Sequence, residues 1–402
     1  MKVLQLCHKM PYPPHDGGAY SLYQTALGLL SQDINVKVFA INTPKNRVKV
    51  NDIPADFRER TRFECSMVNT RVNPIKAGIN LLSNRSYFVE RFWSKEWNDQ
   101  LINILRKEEF DVIQLEHLYM CSYIDTIKQL SKAMVVLRPQ NVENNLWHQV
   151  IKFEPNPLKA KYLKIATKRL MTLEMQMAQK VDGILAISDE DATVFTKYAP
   201  ATPVVSVPFG FNFNKTKNYD INKQYQAFPI FYHLGSMDWQ PNIQGIKWFI
   251  EEVLPFICSE YPEFKLKIAG KKMPQWIYKR QSKNLEAEGE VKDSMIYQED
   301  KALMIVPLLS GGGLRVKIIE GMALGKTIIS TSIGARGIPF TDQKNLLIAN
   351  TPQEFAIQIN KCRHSKVFCQ MIGKHARQFA MEKYDFNQTA KRMIRFYNNL
   401  LH

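Results

Sequence analysis

The sequence predicts an α/β protein of two doubly wound domains, each a parallel sheet with helices on both faces. Three observations carry this prediction. Short apolar runs alternate with stretches of helical period through both halves of the chain. Glycine pairs or triplets stand where a run ends and a helical stretch begins, at Gly17-Gly18 and at Gly311-Gly-Gly313. The length of 402 residues, at about 100 to 200 per domain, gives two domains large enough for separate cores.

Composition narrows the function classes. With 45% hydrophobic and 23% charged residues the chain reads as globular rather than disordered or fibrous. No window approaches about 18 uncharged apolar residues, so no spanning helix is expected. The apolar start Met1 to Cys7 is too short for a signal peptide and runs into Pro11-Tyr-Pro-Pro14. These features place the expected location in the cytoplasm. The net charge of +16 calls for an anionic partner. Basic residues outnumber acidic ones 27 to 21 in the first 200 residues and 27 to 17 in the rest. An excess spread in this way argues against a nucleic-acid-binding tail. The six cysteines form no CxxC pair, and Cys362, His364 and Cys369 lack a fourth ligand, so reduced thiols are expected.

Taken in order, Val3 to Cys7 is a strand, and the Pro-rich turn and His15-Asp-Gly-Gly-Ala19 lead into a helix with Ala19, Leu22, Tyr23, Ala26, Leu27 and Leu30 at helical spacing. Asn35 to Ile41 completes a βαβ unit, and its Gly17-Gly18 corner places backbone donors at the carboxyl edge of the sheet. Residues 44–96 read as irregular. Trp97 to Glu108 is a helix, and the strands Asp111 to Leu115 and Met134 to Leu137 end in Glu116-His117 and in Arg138-Pro-Gln-Asn-Val-Glu143. Polar clusters at strand ends furnish a binding cleft, although Asn141 taken alone reads as a helix cap. Pro157 to Lys180 is a long helix with a core stripe of Tyr162, Ala166, Leu170, Leu173 and Met177, and with Lys161, Lys164 and Lys168 on another face. Those lysines are either a solvated face or a surface for anionic lipid head groups. After the strand Gly183 to Ile187, Ser188 reads as an N-cap, with Asp189 and Asp191 as first-turn acids rather than metal ligands. The strand Val204 to Val207 leads to Pro208-Phe-Gly210, and the Lys/Asn-rich Asn212 to Gln226 reads as the linker between domains.

The alternation restarts at the strand Pro229 to Leu234. A loop, Gly235 to Asn242, a helix through Trp248, Phe249 and Val253, and the strand Phe264 to Ala269 follow. The stretch Met304 to Glu320 then combines a buried strand, a triple-glycine loop and a helix over Leu314 to Met322. This order builds an anion site: free amides and the positive helix end point over the loop, and Arg315 and Lys317 add two charges in the first turn. Such a pair suits a diphosphate, with a planar fork and a compact point charge to stabilise a leaving phosphate. Glu320, five residues after Arg315, projects from another side of the helix, where a carboxylate accepts from sugar or ribose hydroxyls. The strand Thr327 to Ser330 and a closing helix from Asn387 to Leu401 complete the chain, the latter with Met393, Phe396, Tyr397 and Leu400 as its apolar positions.

Six motifs in fixed order carry a resemblance. They are Pro11-x-Pro-Pro-x-x-Gly-Gly18, Ile187-Ser-x-x-Asp191, Val207-Pro-x-Gly210, His233-Leu-Gly-Ser236 with Trp239-x-Pro-Asn242, Pro307-Leu-x-x-Gly-Gly-Gly-x-Arg-x-Lys-x-x-Glu320, and Gly334-Ala-x-Gly337. In this combination the chain resembles the bacterial glycosyltransferases of family four, in the subgroup with Gly-x-Arg-x-Lys-x-x-Glu. The resemblance implies a GT-B fold of two facing Rossmann-like domains with a cleft between them, and a retaining, metal-independent transfer from a nucleotide sugar. Three departures stand out. Gly312 occupies the place of the first glutamate of the family's Glu-x₇-Glu pair, the loop Gly235 to Asn242 has neither the Arg nor the Lys that the family commonly places there, and Gln140-Asn141 stands where a cleft histidine is frequent.

The expected domains are 1–210 on the acceptor side, 211–385 for the nucleotide sugar, and a C-terminal helix, 386–402, packing back toward the first. Arg315, Lys317 and Glu320 are the expected catalytic residues. Gly17, Gly18, Gly235, Ser236, Gly311, Gly312 and Gly313 are expected at the donor, and Glu116, His117, Asn141 and Glu143 at the acceptor. No cofactor or metal is expected. The expected partners are a nucleotide sugar, a glycan or lipid-linked glycan acceptor and an anionic membrane surface on the cytoplasmic side, with no nucleic acid. A non-catalytic sugar-nucleotide-binding subunit and a nucleotide-sugar epimerase of the same fold are the alternatives.

Overall fold

Every strand pairing in the two sheets of the computed structural model is parallel. Helices cover both faces of such sheets, which is why the central strands read as unbroken apolar runs rather than as alternating patterns. The structure describes residues 1–14, 16–152, 154–216 and 219–402, so His15 of the turn read before the first helix lies outside the described residues. It divides into two compact units, Met1–Gly210 with Phe386–His402, and Phe211–Asp385.

The first unit is built on β1 (Lys2–Cys7), β2 (Asn35–Asn42), β3 (Glu64–Met67), β4 (Val112–Glu116), β5 (Met134–Arg138), β6 (Gly183–Ala186) and β7 (Val204–Ser206), in the order β3-β2-β1-β4-β5-β6-β7. The order reverses between β1 and β4, and the carboxyl ends of strands at such a switch point are where ligands bind. One face of the sheet packs around Phe39 and Trp97, whose rings stack at 4.2 Å. On the other face the C-terminal helix Phe386–Leu401 lays Ala390, Met393, Phe396 and Tyr397 against Leu22, Ala26 and Leu29 of the helix Gly17–Leu30. Gly183 admits this helix: a Cβ there would come within 2.7 Å of Phe396 and Leu400.

The second unit holds β8 (Phe231–Leu234), β9 (Leu266–Ala269), β10 (Leu285–Gly289), β11 (Leu303–Val306), β12 (Thr327–Ser330) and β13 (Leu347–Ile348), in the order β10-β9-β8-β11-β12-β13. The switch point falls between β8 and β11. Its core joins Phe231, Phe249, Phe264, Ile305 and Phe355.

Four sequence expectations change. Residues 44–96 are not wholly irregular, since they supply β3 and the short helices Ala55–Arg60, Pro74–Asn80 and Tyr87–Glu90. Asn212 to Gln226 does not behave as a linker over its described part. Gln224 and Tyr225 are buried, and Gln224 Nε2 donates to the Gly325 carbonyl at 3.2 Å, so polarity there marks hydrogen bonding rather than solvation. In the helix Pro157–Lys180 the buried line runs through Leu163, Ala166, Leu170, Glu174 and Ala178, with Tyr162, Leu173 and Met177 only half-buried beside it. The cause is Glu174, whose two carboxyl oxygens accept from the Glu143 and Asn144 amides at 2.8 and 3.4 Å and so turn an acidic residue inward. The helix expected from Leu314 begins at Val316, with Arg315 as its N-cap.

Candidate active site

In the second unit, β11 runs through Pro307 and Leu308 into the glycine loop at the carboxyl edge of the sheet. Gly311 and Gly313 adopt φ of +110° and +71°, values that a side chain strains. Arg315 stands at the N-cap position of the following helix without a side-chain capping bond, and its side chain folds back to the loop. There Nη1 donates to the Gly312 carbonyl and, at 2.9 Å, to that of Gly313. The guanidinium lies 5.2 Å from the Trp239 ring centroid and is 4% exposed. Its Nε and Nη2 have no hydrogen-bond partner, and no carboxylate pairs with it among the described residues. Burial, and then Arg336, lower its pKa to about 10. A buried cation with two idle donors is expensive unless an anion completes it.

Lys317 sits in the first turn as expected, but its surroundings come from far away in sequence. Nζ donates to Asn242 Oδ1 at 2.9 Å and lies 3.5 Å from His233 Nε2. His233 is buried, with Nδ1 2.8 Å from the Ile305 carbonyl, which can only accept. This assigns the proton to Nδ1 and turns the Nε2 lone pair toward the lysine. Burial, followed by Lys317, holds His233 well below the usual histidine range, so it stays neutral. Asn242 is fixed in turn by donating to the Ser236 carbonyl at 2.7 Å. A Cβ on Gly235 would overlap the Lys317 ammonium and stand 2.8 Å from Asn242 Nδ2, so a side chain there would displace both from these positions. Burial and then Arg315 bring the Lys317 pKa down to about 7. The two charges are held unequally: Arg315 keeps its proton firmly, whereas burial and the Arg315 charge weaken the hold of Lys317 on its own until an anion arrives.

Glu320 points elsewhere, as its spacing indicates, and accepts from Ser294 Oγ at 3.0 Å at the start of the helix Ser294–Gln298. Ser236 donates from Oγ to Asp238 at 2.6 Å.

In the first unit, Gly17 and Gly18 open the helix Gly17–Leu30, with Asp16 as N-cap accepting from the Ala19 amide at 2.9 Å. Lys9 approaches the same helix end through a 2.5 Å ion pair with Asp16. Burial pushes the Asp16 carboxyl up, but Lys9 outweighs it and the net displacement is downward.

Polar side chains gather at the carboxyl ends of β1, β4 and β5. His117, just after β4, has φ of +91°, unusual for a non-glycine residue and common where a side chain is held for function. Its Nε2 lies 3.2 Å from Glu143, which also accepts from Tyr119 at 3.0 Å. Burial raises the Glu143 carboxyl, yet His117 and hydrogen bonds from Tyr119 and Asn141 hold it below the usual range. The sequence-predicted His117, Asn141 and Glu143 are therefore brought together. Glu116 is not part of this group. It is fully buried and accepts from Gln5, Gln114 and Gln140 at 2.7, 2.5 and 3.2 Å, with Arg138 at 3.6 Å, so its carboxylate is a structural hub. Asn141 bonds Glu143, while the first amides of the helix Glu143–Lys152 go to Glu174.

Sequence reasoning missed His8, whose ring lies 4.5 Å from that of His117 and whose Nδ1 donates to the Glu116 carbonyl at 3.0 Å. It also missed His233, Asn242 and Trp239 as supports of the basic pair, although all three stand in motifs already singled out. Glu174 left no usable signal. Ser188 caps its helix by accepting from the Asp191 amide at 3.1 Å, and no metal-binding cluster occurs among the described residues.

Residues 228–364 match the family model described as "Glycosyl transferases group 1". Over 295 residues the chain is 23% identical to an "Uncharacterized 44.6 kDa protein in cps region" of Klebsiella pneumoniae, covering 71% of this chain and 73% of that protein. Two solved structures align along nearly the whole length. Sucrose-phosphate synthase from Thermosynechococcus elongatus has a TM-score of 0.72 at 14% identity, covering 100% of this chain and 99% of that one. Anabaena Alr3699/HepE in complex with UDP-glucose has a TM-score of 0.66 at 14% identity, covering 99% and 100%. The chain thus has a two-domain α/β fold of GT-B type, its second domain matches the group 1 glycosyl transferases, and it is a glycosyltransferase.

Proposed function

We propose that the chain transfers a sugar from a nucleoside diphosphate to a hydroxyl of a glycan or lipid-linked glycan in bacterial polysaccharide synthesis, with retention and without a divalent metal. The observation that carries this reading is the pair Arg315 and Lys317 at the β8/β11 switch point: two cations with no carboxylate partner among the described residues, one with buried idle donors and the other oriented by neutral acceptors. A diphosphate supplies the missing charge. As the bond between the sugar and the diphosphate breaks, negative charge grows on the departing oxygen, and pre-placed donors in a dry site each lower the barrier by about 3 kcal/mol. Glu320 binds ribose hydroxyls, and the amides of Gly311 to Gly313 hold phosphate oxygens. His117, Asn141 and Glu143 serve the acceptor. The HepE complex with UDP-glucose supports the donor class, and the cps-region relative supports the polysaccharide context. The exposed Lys161, Lys164 and Lys168 fit an enzyme resting on the inner surface of the cytoplasmic membrane to reach a lipid-linked acceptor.

Incubation with a panel of nucleotide sugars, with and without bacterial lipid extract, tests this. Transfer or slow hydrolysis of one donor, with the product anomer unchanged by NMR, is the expected result. Isomerisation of the donor would make the chain an epimerase, and binding without turnover a non-catalytic subunit.

A further inference from the structure

Two segments of the first unit that lack any acidic residue meet on one face. Residues 68–89 carry Arg71, Lys76 and Arg85, and residues 155–173 carry Lys159, Lys161, Lys164, Lys168 and Arg169, with no Asp or Glu in either. Arg169 joins them, its Nη1 and Nη2 donating to the carbonyls of Asn80 and Leu81 at 2.7 and 2.9 Å. The short helix Pro74–Asn80 and the turn after it are further tied down by Asn80 Nδ2 donating to Glu90 at 2.9 Å and by the Asn73 amide donating to Tyr87 Oη at 2.9 Å. This is a fixed surface, and it presents aliphatic side chains to solvent. Ile75, Ile79 and Leu82, at i, i+4 and i+7, are 74%, 64% and 92% exposed, while Ala77 faces inward. Leu158, at 80%, and Ile165 share one helical stripe with Arg169, which extends the apolar line along the long helix. Monomeric proteins rarely leave such a patch uncovered.

We propose that this face docks on an anionic lipid bilayer, with Ile75, Ile79 and Leu82 entering the acyl boundary while the surrounding lysines and arginines lie among the phosphate head groups. Charge decides the occupant. A second copy packed through the same patch about a two-fold axis would set basic rings against each other, whereas anionic lipid complements both the charge and the apolar centre. The proposal rests on the membrane reading above and adds insertion to electrostatic contact.

Cosedimentation of the full chain with vesicles of phosphatidylcholine and phosphatidylglycerol, at low and high salt, tests it with two variants. The wild type is expected to bind at low salt and to keep part of its binding at high salt, because insertion is not screened. Ile75→Ser/Ile79→Ser/Leu82→Ser, which alters only exposed side chains, should lose at least tenfold in partitioning at both salts. Lys161→Glu/Lys164→Glu/Lys168→Glu should lose chiefly at low salt. Loss in the glutamate variant with none in the serine variant would overturn insertion and leave the electrostatic reading standing. No binding by the wild type at low salt would overturn both. A dimer seen by sedimentation velocity and dissolved by the serine substitutions, without vesicle binding, would make the patch a self-association surface.

Discussion

Lys317 condenses the chemistry of the protein at the scale of one residue. Lys317→Ala is expected to lower kcat by about two to three orders of magnitude with the fold intact, since it removes charge aimed at the leaving diphosphate. A variant near the wild-type rate, with an unchanged far-UV spectrum, would locate the clamp elsewhere. The depressed pKa has two further consequences. A diphosphate raises it, so binding near neutral pH takes up part of a proton per site. Calorimetry of nucleotide-sugar binding in buffers of different ionisation heat reads this uptake, and Lys317→Met should abolish it. For stability the sign is opposite to that of a salt-bridged lysine. The folded state holds its proton less firmly than the unfolded chain does, so a penalty is fully present below about pH 7 and fades as pH rises toward the ordinary lysine value. Without ligand, Lys317→Met should raise the Tm at pH 6 and leave it unchanged at pH 10.5. Asn242 and His233 hold the ammonium in place, and neither could be assigned that role from sequence, because they lie 75 and 84 residues from it.

Among the elements, the helices Glu143–Lys152 and Pro157–Lys180 are coupled by one buried carboxyl. Burial, ahead of the Glu143 and Asp191 charges, pushes Glu174 up to about 8. A carboxyl raised in the folded state contributes stability that is complete below its unfolded pKa of about 4.3 and is lost as pH rises through about 8. Urea unfolding of Glu174→Gln should therefore show a smaller fall in midpoint between pH 5 and 8 than the wild type does. The C-terminal helix is an element of a different kind. Met393→Ala removes a side chain buried against the first sheet and should cost about 2 to 5 kcal/mol of first-unit stability, measured by chemical denaturation. Its apolar stripe was legible because four positions repeat at helical spacing. The edge strands β3 and β10 were not legible, because a half-exposed edge has no need of an apolar run: Glu64-Cys-Ser-Met67 and Leu285-Glu-Ala-Glu-Gly289 keep polar side chains at the rim.

At the scale of the whole molecule, both sheets reverse their strand order at one place, and the two residue clusters stand at the carboxyl ends beside those reversals. The cationic pair replaces a metal in the proposed chemistry, so turnover should withstand EDTA and gain nothing from added magnesium or manganese. Activity abolished by the chelator and restored by either ion would refute that. The sequence by itself determined the α/β class, the restart of the alternation near Pro229 and the strand, glycine loop and helix that carry Arg315, Lys317 and Glu320. Apolar period, glycine corners and helix starts are properties of neighbouring residues, and they survive in a linear reading. Only the tertiary structure decided that Arg315 precedes its helix and turns back to the loop carbonyls, that Lys317 leans on Asn242 and His233, that Glu116 is consumed in a buried network while His117 meets Glu143, and that Glu174 faces inward. Protonation and hydrogen-bond partners depend on which distant groups share a low-dielectric space, and strand order alone brings those groups together.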